Sequence, residues 1–224
     1  REVLEKTAAQ TRQGRGTCVG RRFPGVEVRI IRPVDGPIAS LTQAEILPAR
    51  EIGEIIVKSS SVTREYFENV EGTRLAKISD GDCCWHRIGD MGYLDHDGLL
   101  WFCGRKAHIV ETGNGKLYSV CCEAIFNNHP RVYRSALVGF GSRPRQTPAI
   151  VVEPEEGGFP LSPTDETQFR SELIQLAEAS DLTHEIREVF FHPSLPVDTR
   201  HNVKIDREAL AEWAAQRRMV SPGQ

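Results

Sequence analysis

The chain has 224 residues, 28 Lys and Arg against 31 Asp and Glu, and a formal net charge of -3. At that length it holds one or two domains with a buried core, and 39% hydrophobic with 26% charged residues excludes a disordered or fibrous chain. The near-balance of charge argues against nucleic acid or an anionic membrane as partner, so any phosphate binding is expected to be local.

In chain order, the first hundred residues read as β-rich. Val26 to Ile31 alternates apolar and polar positions before Pro33 stops it, and Gly53 to Lys58 is a second β-branched run. Residues 33–50 carry Asp35, Gly36, Pro37 and Pro48 with little periodicity and read as a surface excursion. Tyr93 to Phe102 places Asp97-Gly98 between two apolar runs, the signature of a hairpin turn. From Gly104 the pattern alternates between strand and helix. Ile109-Val110 and Leu117-Tyr118 bracket a glycine-rich turn, and a helix capped by Ser119 runs through Glu123, Ile125 and Phe126 to the cluster ending at Pro130. Val132 to Phe140 and Ala149 to Glu153 read as paired strands, followed by a helix with Asp165 and Gln168 as a capping box and Phe169, Leu173, Leu176 and Ala177 on one face. Glu188 to His192 reads as a strand, and Asp206 caps a last helix with Leu210 and Trp213. The expected class is α+β: a β-rich part over residues 1–103, then a small α+β domain over 104–224.

No apolar run approaches the ~20 residues of a bilayer helix, and Arg1 to Lys6 lacks the apolar core of a signal peptide, so a cytoplasmic protein with no transmembrane segment is expected. The chain starts on Arg1, without a methionine, which suggests a piece of a longer protein. The cysteines are Cys18, Cys103 and the adjacent pairs Cys83-Cys84 and Cys121-Cys122. Neighbouring cysteines are poorly placed to hold one tetrahedral ion or to form an unstrained bridge. Buried free thiols in a reducing compartment, and no metal site, are the expectation.

Three segments carry candidate chemistry. Trp85 to Asp90 ends in a carboxylate that can accept two hydrogen bonds from the adjacent hydroxyls of a ribose, although a Gly-Asp pair commonly just caps a turn. Gly104 to Lys116 offers Arg105 and Lys106 as cationic donors on a glycine-marked junction, where basic residues are more often solvated surface. Leu195 to Arg207 is a polar segment with one lysine, Lys204, and a lone loop lysine is usually only solubilising. There is no phosphate-cradling glycine loop of the nucleotide-hydrolase type.

Taken in order, these segments resemble the C-terminal portion of the adenylate-forming superfamily, which includes acyl-CoA synthetases, luciferases and peptide-synthetase adenylation domains. Gly53 to Tyr66 is similar to that family's Gly-Glu-apolar strand and Trp85 to Asp90 to its Tyr-Arg-Thr-Gly-Asp motif. Gly104 to Glu123 is similar to its hinge and following helix, and Pro196 to Arg207 to its terminal lysine motif. The resemblance implies a distorted-barrel β subdomain followed by a mobile α+β domain. It also implies an ATP- and Mg2+-dependent, AMP-forming ligase that activates a fatty acid. Asp90 would accept the ribose hydroxyls, Arg105 would support the nucleotide, Lys106 and Ala107 would lie at the hinge, and Lys204 would be the catalytic lysine. The N-terminal adenylation domain, with the phosphate loop and acyl pocket, would be the missing partner, and the chain alone would neither adenylate nor bind ATP tightly.

Ala107 stands where the family usually has Asp or Lys, Asn114 where a glycine lines the thiol route, and Cys121 where the first acid of Glu-x-Glu is usual, leaving Glu123. Arg200, His201, Asn202 and Val203 precede Lys204 in place of Ser-Gly. These departures point away from ordinary CoA thioester formation. Phe102 to His108 and the Arg-His-Asn-x-Lys-Ile pattern from Arg200 to Ile205 resemble the subgroup that includes the β-lactone synthetases of bacterial olefin biosynthesis, where a β-hydroxy fatty acid is adenylated and closes on its own hydroxyl. The competing expectation is a non-catalytic binding or regulatory module that kept the fold and makes no demand on Lys204, Asp90 or Arg105.

Overall fold

The computed structural model describes residues 2–197 and 204–220. The chain divides into two compact units, residues 1–8 with 15–107 and residues 9–14 with 108–224. An opening helix, α1 (Glu2–Arg12), precedes the strands β1 (Thr17–Gly20), β2 (Glu27–Ile31) and β3 (Gly53–Lys58). Helix α2 (Val70–Ala76), β4 (Lys77–Asp80), β5 (Cys83–Leu94) and β6 (Leu100–Arg105) complete the first unit. Its curled sheet runs β1-β6-β5-β3-β2, with β4 also on β5, and every pairing is antiparallel.

The strands at 27–31 and 53–58 and the hairpin across Asp97-Gly98 form as the sequence predicts. The turn itself is longer than a two-residue hairpin: Asp95 Oδ1 accepts from the N–H of Asp97 and of Leu99, and Gly98 takes a φ of 73° that suits glycine. Helices α1 and α2 were not expected, being short helical stretches in a region dominated by β-type alternation. Residues 33–50 are more than a surface excursion. Ile38 is buried with Ile31, Ile56, Ile78 and Trp85, and the segment bridges to the sheet at Ile46 and Ser40.

Two glycines let strands approach closely. A Cβ on Gly53 would lie 2.3 Å from the Ile31 carbonyl oxygen, and one on Gly92 would lie 2.2 Å from that of Trp101. Neither strand could shift enough to admit a methyl without breaking its ladder.

The second unit contains β7 (Val110–Glu111), β8 (Lys116–Leu117), α3 (Ser119–Phe126), β9 (Val132–Phe140), β10 (Thr147–Pro154), α4 (Pro163–Glu178), β11 (Glu188–Phe191) and α5 (Arg207–Val220). β10 is the centre of a three-stranded sheet, antiparallel to β9 and parallel to β11. Both faces are covered, which explains the unbroken apolar run of β10. Leu137, Ile150 and Val152 pack with α3 and α4 residues such as Phe126, Phe169 and Leu173, while Ala136, Val138 and Val151 pack with Leu210 and Ala214 of α5.

Two caps differ from expectation. Ser119 is a buried first residue of α3 rather than its cap, which is Tyr118. Helix α4 starts at Pro163, whose fixed φ suits the first helical position, so Ser162 caps it and accepts from the Asp165 N–H at 3.1 Å. Asp206 caps α5 as predicted, accepting from the Ala209 N–H at 3.1 Å. Four cysteines are buried, whereas Cys83 is exposed and Cys84 half-buried at the start of β5, so the expectation of buried thiols fails for that pair. Among the described residues, no helix is long and apolar enough to cross a membrane.

Candidate functional site

In the first unit, Asp90 and Arg105 face each other across β5 and β6 because of a β-bulge. The ladder runs Leu94 to Leu100, Tyr93 to Trp101 and Gly92 to Phe102, then skips Cys103 to pair Met91 with Gly104 and Asp90 with Arg105. An unshifted ladder would set Gly104 opposite Asp90. The extra residue brings a guanidinium there instead, the re-aiming of a side chain that bulges near sites provide. Arg105 Nη1 lies 3.0 Å from Asp90 Oδ1 and donates to the Ile88 carbonyl at 3.1 Å. The side chains keep 43% and 22% of their surface, although Asp90 Oδ1 itself is buried, so a carboxylate and a guanidinium stand side by side at a partly exposed edge. Such a pair can take the two hydroxyls of a diol.

Lys106 and Ala107 follow in a 3-10 turn. The Lys106 ammonium donates to the Val34 carbonyl and lies 3.6 Å from Asp35 and 3.5 Å from Glu54. The boundary drawn from sequence between residues 103 and 104 therefore falls inside β6. The bulged ladder and the Lys106 contacts carry the first unit on to Ala107.

Behind this edge lies a buried pair the sequence reading passed over. Arg87 grips Glu54 with two hydrogen bonds, Nε to Oε1 at 2.9 Å and Nη2 to Oε2 at 2.7 Å. Its remaining donors reach the carbonyls of Val34 (2.6 Å), Gly36 (2.8 Å) and Leu75 (3.0 Å). The available signal was a charged residue next to apolar neighbours in each of two strands, Glu54 before Ile55-Ile56 and Arg87 inside the Trp85 to Asp90 motif.

Lys204 belongs to the second unit, where it is exposed. Arg200, His201, Asn202 and Val203 of the expected lysine motif lie outside the described residues. Ile205 bridges to Val197, and the Asp206 N–H donates to the Pro196 carbonyl at 2.8 Å. Arg207 then turns inward: Nη1 donates to Glu123 Oε1 at 2.5 Å and Nη2 to Oε2 at 3.0 Å. Glu123 also accepts from the Leu137 N–H at 2.8 Å. Burial pushes the Glu123 carboxyl above the usual carboxylate range, and the guanidinium pulls against it. This contact was missed as well, since its partners stand 84 residues apart.

The structure thus joins Asp90 to Arg105 in the first unit and places Lys204 in the second. Among the described residues, no group of three His, Cys, Asp or Glu side chains is placed to hold a metal ion.

No protein-family model matches the chain. It is 43% identical over 222 residues to an olefin beta-lactone synthetase of Xanthomonas campestris pv. campestris, covering 97% of this chain and 39% of that one. Among solved structures, the amide bond synthetase McbA of Marinactinospora thermotolerans superposes with a TM-score of 0.69 at 29% identity, over 88% of this chain and 36% of that one. ATP-bound MatB of Rhodopseudomonas palustris shares the fold at a TM-score of 0.67 and 23% identity, over 88% and 35%. The chain thus spans about 39% of the length of the curated relative it matches.

Proposed function

We propose, for a chain that belongs to the adenylate-forming superfamily and corresponds to the C-terminal part of its members, that the whole protein activates a β-hydroxy fatty acid with ATP. The single observation carrying this reading is the 43% identity, sustained over 97% of the chain, to an olefin beta-lactone synthetase. The first unit is read as the β-rich end of the large adenylation domain. The second is read as the mobile domain, swinging about a hinge at Lys106 and Ala107.

In the first half-reaction an oxygen of the substrate carboxylate bonds to the α-phosphorus of ATP, the bond to the β-phosphate bridging oxygen breaks, and pyrophosphate leaves. Negative charge gathers on the α-phosphate oxygens as this happens. The Lys204 ammonium is the group proposed to offset it, and Asp90, with Arg105 beside it, accepts the ribose hydroxyls. In the second half-reaction the substrate's β-hydroxyl loses its proton, attacks the acyl carbonyl and expels AMP, closing a β-lactone. A CoA thiol attacking the same carbonyl would give a thioester instead. Mg2+ would travel with the nucleotide's phosphates.

The test is pyrophosphate release by the whole protein with a β-hydroxy acid. Removing one group that stabilises the transition state costs about 10²–10³-fold, so Lys204→Ala is expected to lower the rate by that factor while the fold survives. An unchanged rate would return the chain to the class of binding or regulatory modules. Mass spectrometry with and without CoA separates lactone from thioester. The 224 residues alone are expected to show no micromolar ATP binding by calorimetry.

A further inference from the structure

Two carboxylates of the second unit grip the Lys204 segment from both ends. At the near end, Glu153 and Arg134 face each other across β10 and β9. Glu153 Oε2 accepts from Arg134 Nε at 2.7 Å and from the Leu195 N–H at 2.7 Å, and Arg134 Nη2 donates to the Leu195 carbonyl at 3.3 Å. One residue pair near the end of the β9–β10 ladder therefore holds both the donor and the acceptor of a single peptide residue.

At the far end, Glu123 on α3 holds Arg207 on two prongs, and Arg207 Nη1 also donates to the Leu137 carbonyl at 3.3 Å. The Glu123 and Arg207 side chains keep only 10% and 13% of their surface. Between the two grips, the Val197–Ile205 bridge and the Asp206 to Pro196 hydrogen bond tie residues 196–197 to residues 205–206. Lys204 directly precedes the bridged residue. Its side chain is exposed, yet its backbone is fixed within three residues of a buried, two-pronged ion pair. A long ammonium side chain on a loop is a poor electrostatic clamp unless its Cα is held, because misplacement by about 1 Å can cost 10²-fold in rate.

We propose that Glu123 with Arg207 and Glu153 with Arg134 are positioning residues, two posts that fix the backbone from which Lys204 reaches the reacting phosphate. The proposal rests on the reading of Lys204 as the catalytic lysine. It adds a division of labour: the lysine supplies the charge, and four other charged groups supply its address.

The experiment is a double-mutant cycle in the whole protein, read as pyrophosphate release. Arg207→Met and Glu153→Gln are each expected to lower the rate about 10–100-fold when Lys204 is present, and no more than about 3-fold further in a Lys204→Ala background, since groups acting as one unit do not add. Conversion of supplied acyl-adenylate to product, which does not need the lysine at the phosphate, should stay within about 3-fold. Should Arg207→Met fail to fold by circular dichroism, Arg207→Lys replaces it. That variant keeps the charge, loses the second prong, and carries the same two expectations with a loss of about 3–10-fold.

Losses that add fully to that of Lys204→Ala, or that strike both half-reactions alike, would make the posts merely structural and overturn the proposal. If Lys204→Ala itself leaves pyrophosphate release unchanged, the catalytic reading fails first and the posts fall with it. If Lys204→Ala cripples release but the post variants do not, only the positioning role is lost.

Discussion

Replacing Arg87 by Met removes the two-pronged partner of a buried carboxylate, a side chain that also pins a loop. In the native structure Glu54 and Arg87 keep only 3% and 5% of their side-chain surface. Without the guanidinium, the Glu54 carboxylate retains Lys106 at 3.5 Å, and the carbonyls of Val34, Gly36 and Leu75 each lose a donor. Breaking a buried pair from one side typically costs about 3–5 kcal/mol. Partial compensation by Lys106 places this variant near the lower end, about 3 kcal/mol, or roughly 6–12 °C in melting temperature for a chain of this size. Urea unfolding followed through Trp85 and Trp101, both in the first unit, reports the loss directly. Adding Glu54→Leu removes the stranded charge, and the double variant is expected to recover at least about 1.5 kcal/mol of what Arg87→Met lost. A cost below about 1 kcal/mol for Arg87→Met, or a double variant as unstable as the two singles summed, would refute the argument from uncompensated charge.

Two further outcomes follow from burial. His192 packs edge-on to Trp213 at 4.5 Å, and burial holds its pKa below the ordinary histidine value. The unfolded histidine therefore takes up a proton first. The stability the site contributes is complete above about pH 6.5 and is lost as pH falls through that value towards the depressed folded one. His192→Gln should flatten the decline of the melting midpoint between about pH 7 and pH 5, and an unchanged decline would exclude the linkage. Among the cysteines, iodoacetamide should label Cys83 and then Cys84 in the native protein, leaving Cys18, Cys103, Cys121 and Cys122 untouched until urea opens the fold. Cys122 is the most inert, since burial raises its thiol pKa well above the usual range. Native-state modification of Cys121 or Cys122, read by peptide mass mapping, would contradict this packing.

What was legible in the sequence was what local chemistry determines. The Gly53 to Lys58 strand, the hairpin across Asp97-Gly98 and the Asp206 cap each depend on residues within a few positions of one another, and each formed, the hairpin with a longer turn than a two-residue one. The cap of α4 is Ser162, because Pro163 takes the first helical position that its fixed φ suits. Pairings across the chain were illegible for a physical reason. Arg87 meets Glu54 over 33 residues and Arg207 meets Glu123 over 84, and nothing in either neighbourhood specifies the other partner. Asp90 and Arg105 were chosen as site residues by resemblance, while their direct contact depends on a bulge at Cys103 that a regular hairpin count would have missed.

The close approaches at Gly53 and Gly92 bear on how this sheet drifts over evolutionary time. At both positions a single methyl would collide with a backbone oxygen of the next strand. A surface glycine such as Gly113, with nothing within 4 Å of a would-be Cβ, meets no such steric bar. In descendants too diverged for overall identity to guide an alignment, the two sheet glycines should still mark the register, and a lineage that loses either one should show a rebuilt strand beside it.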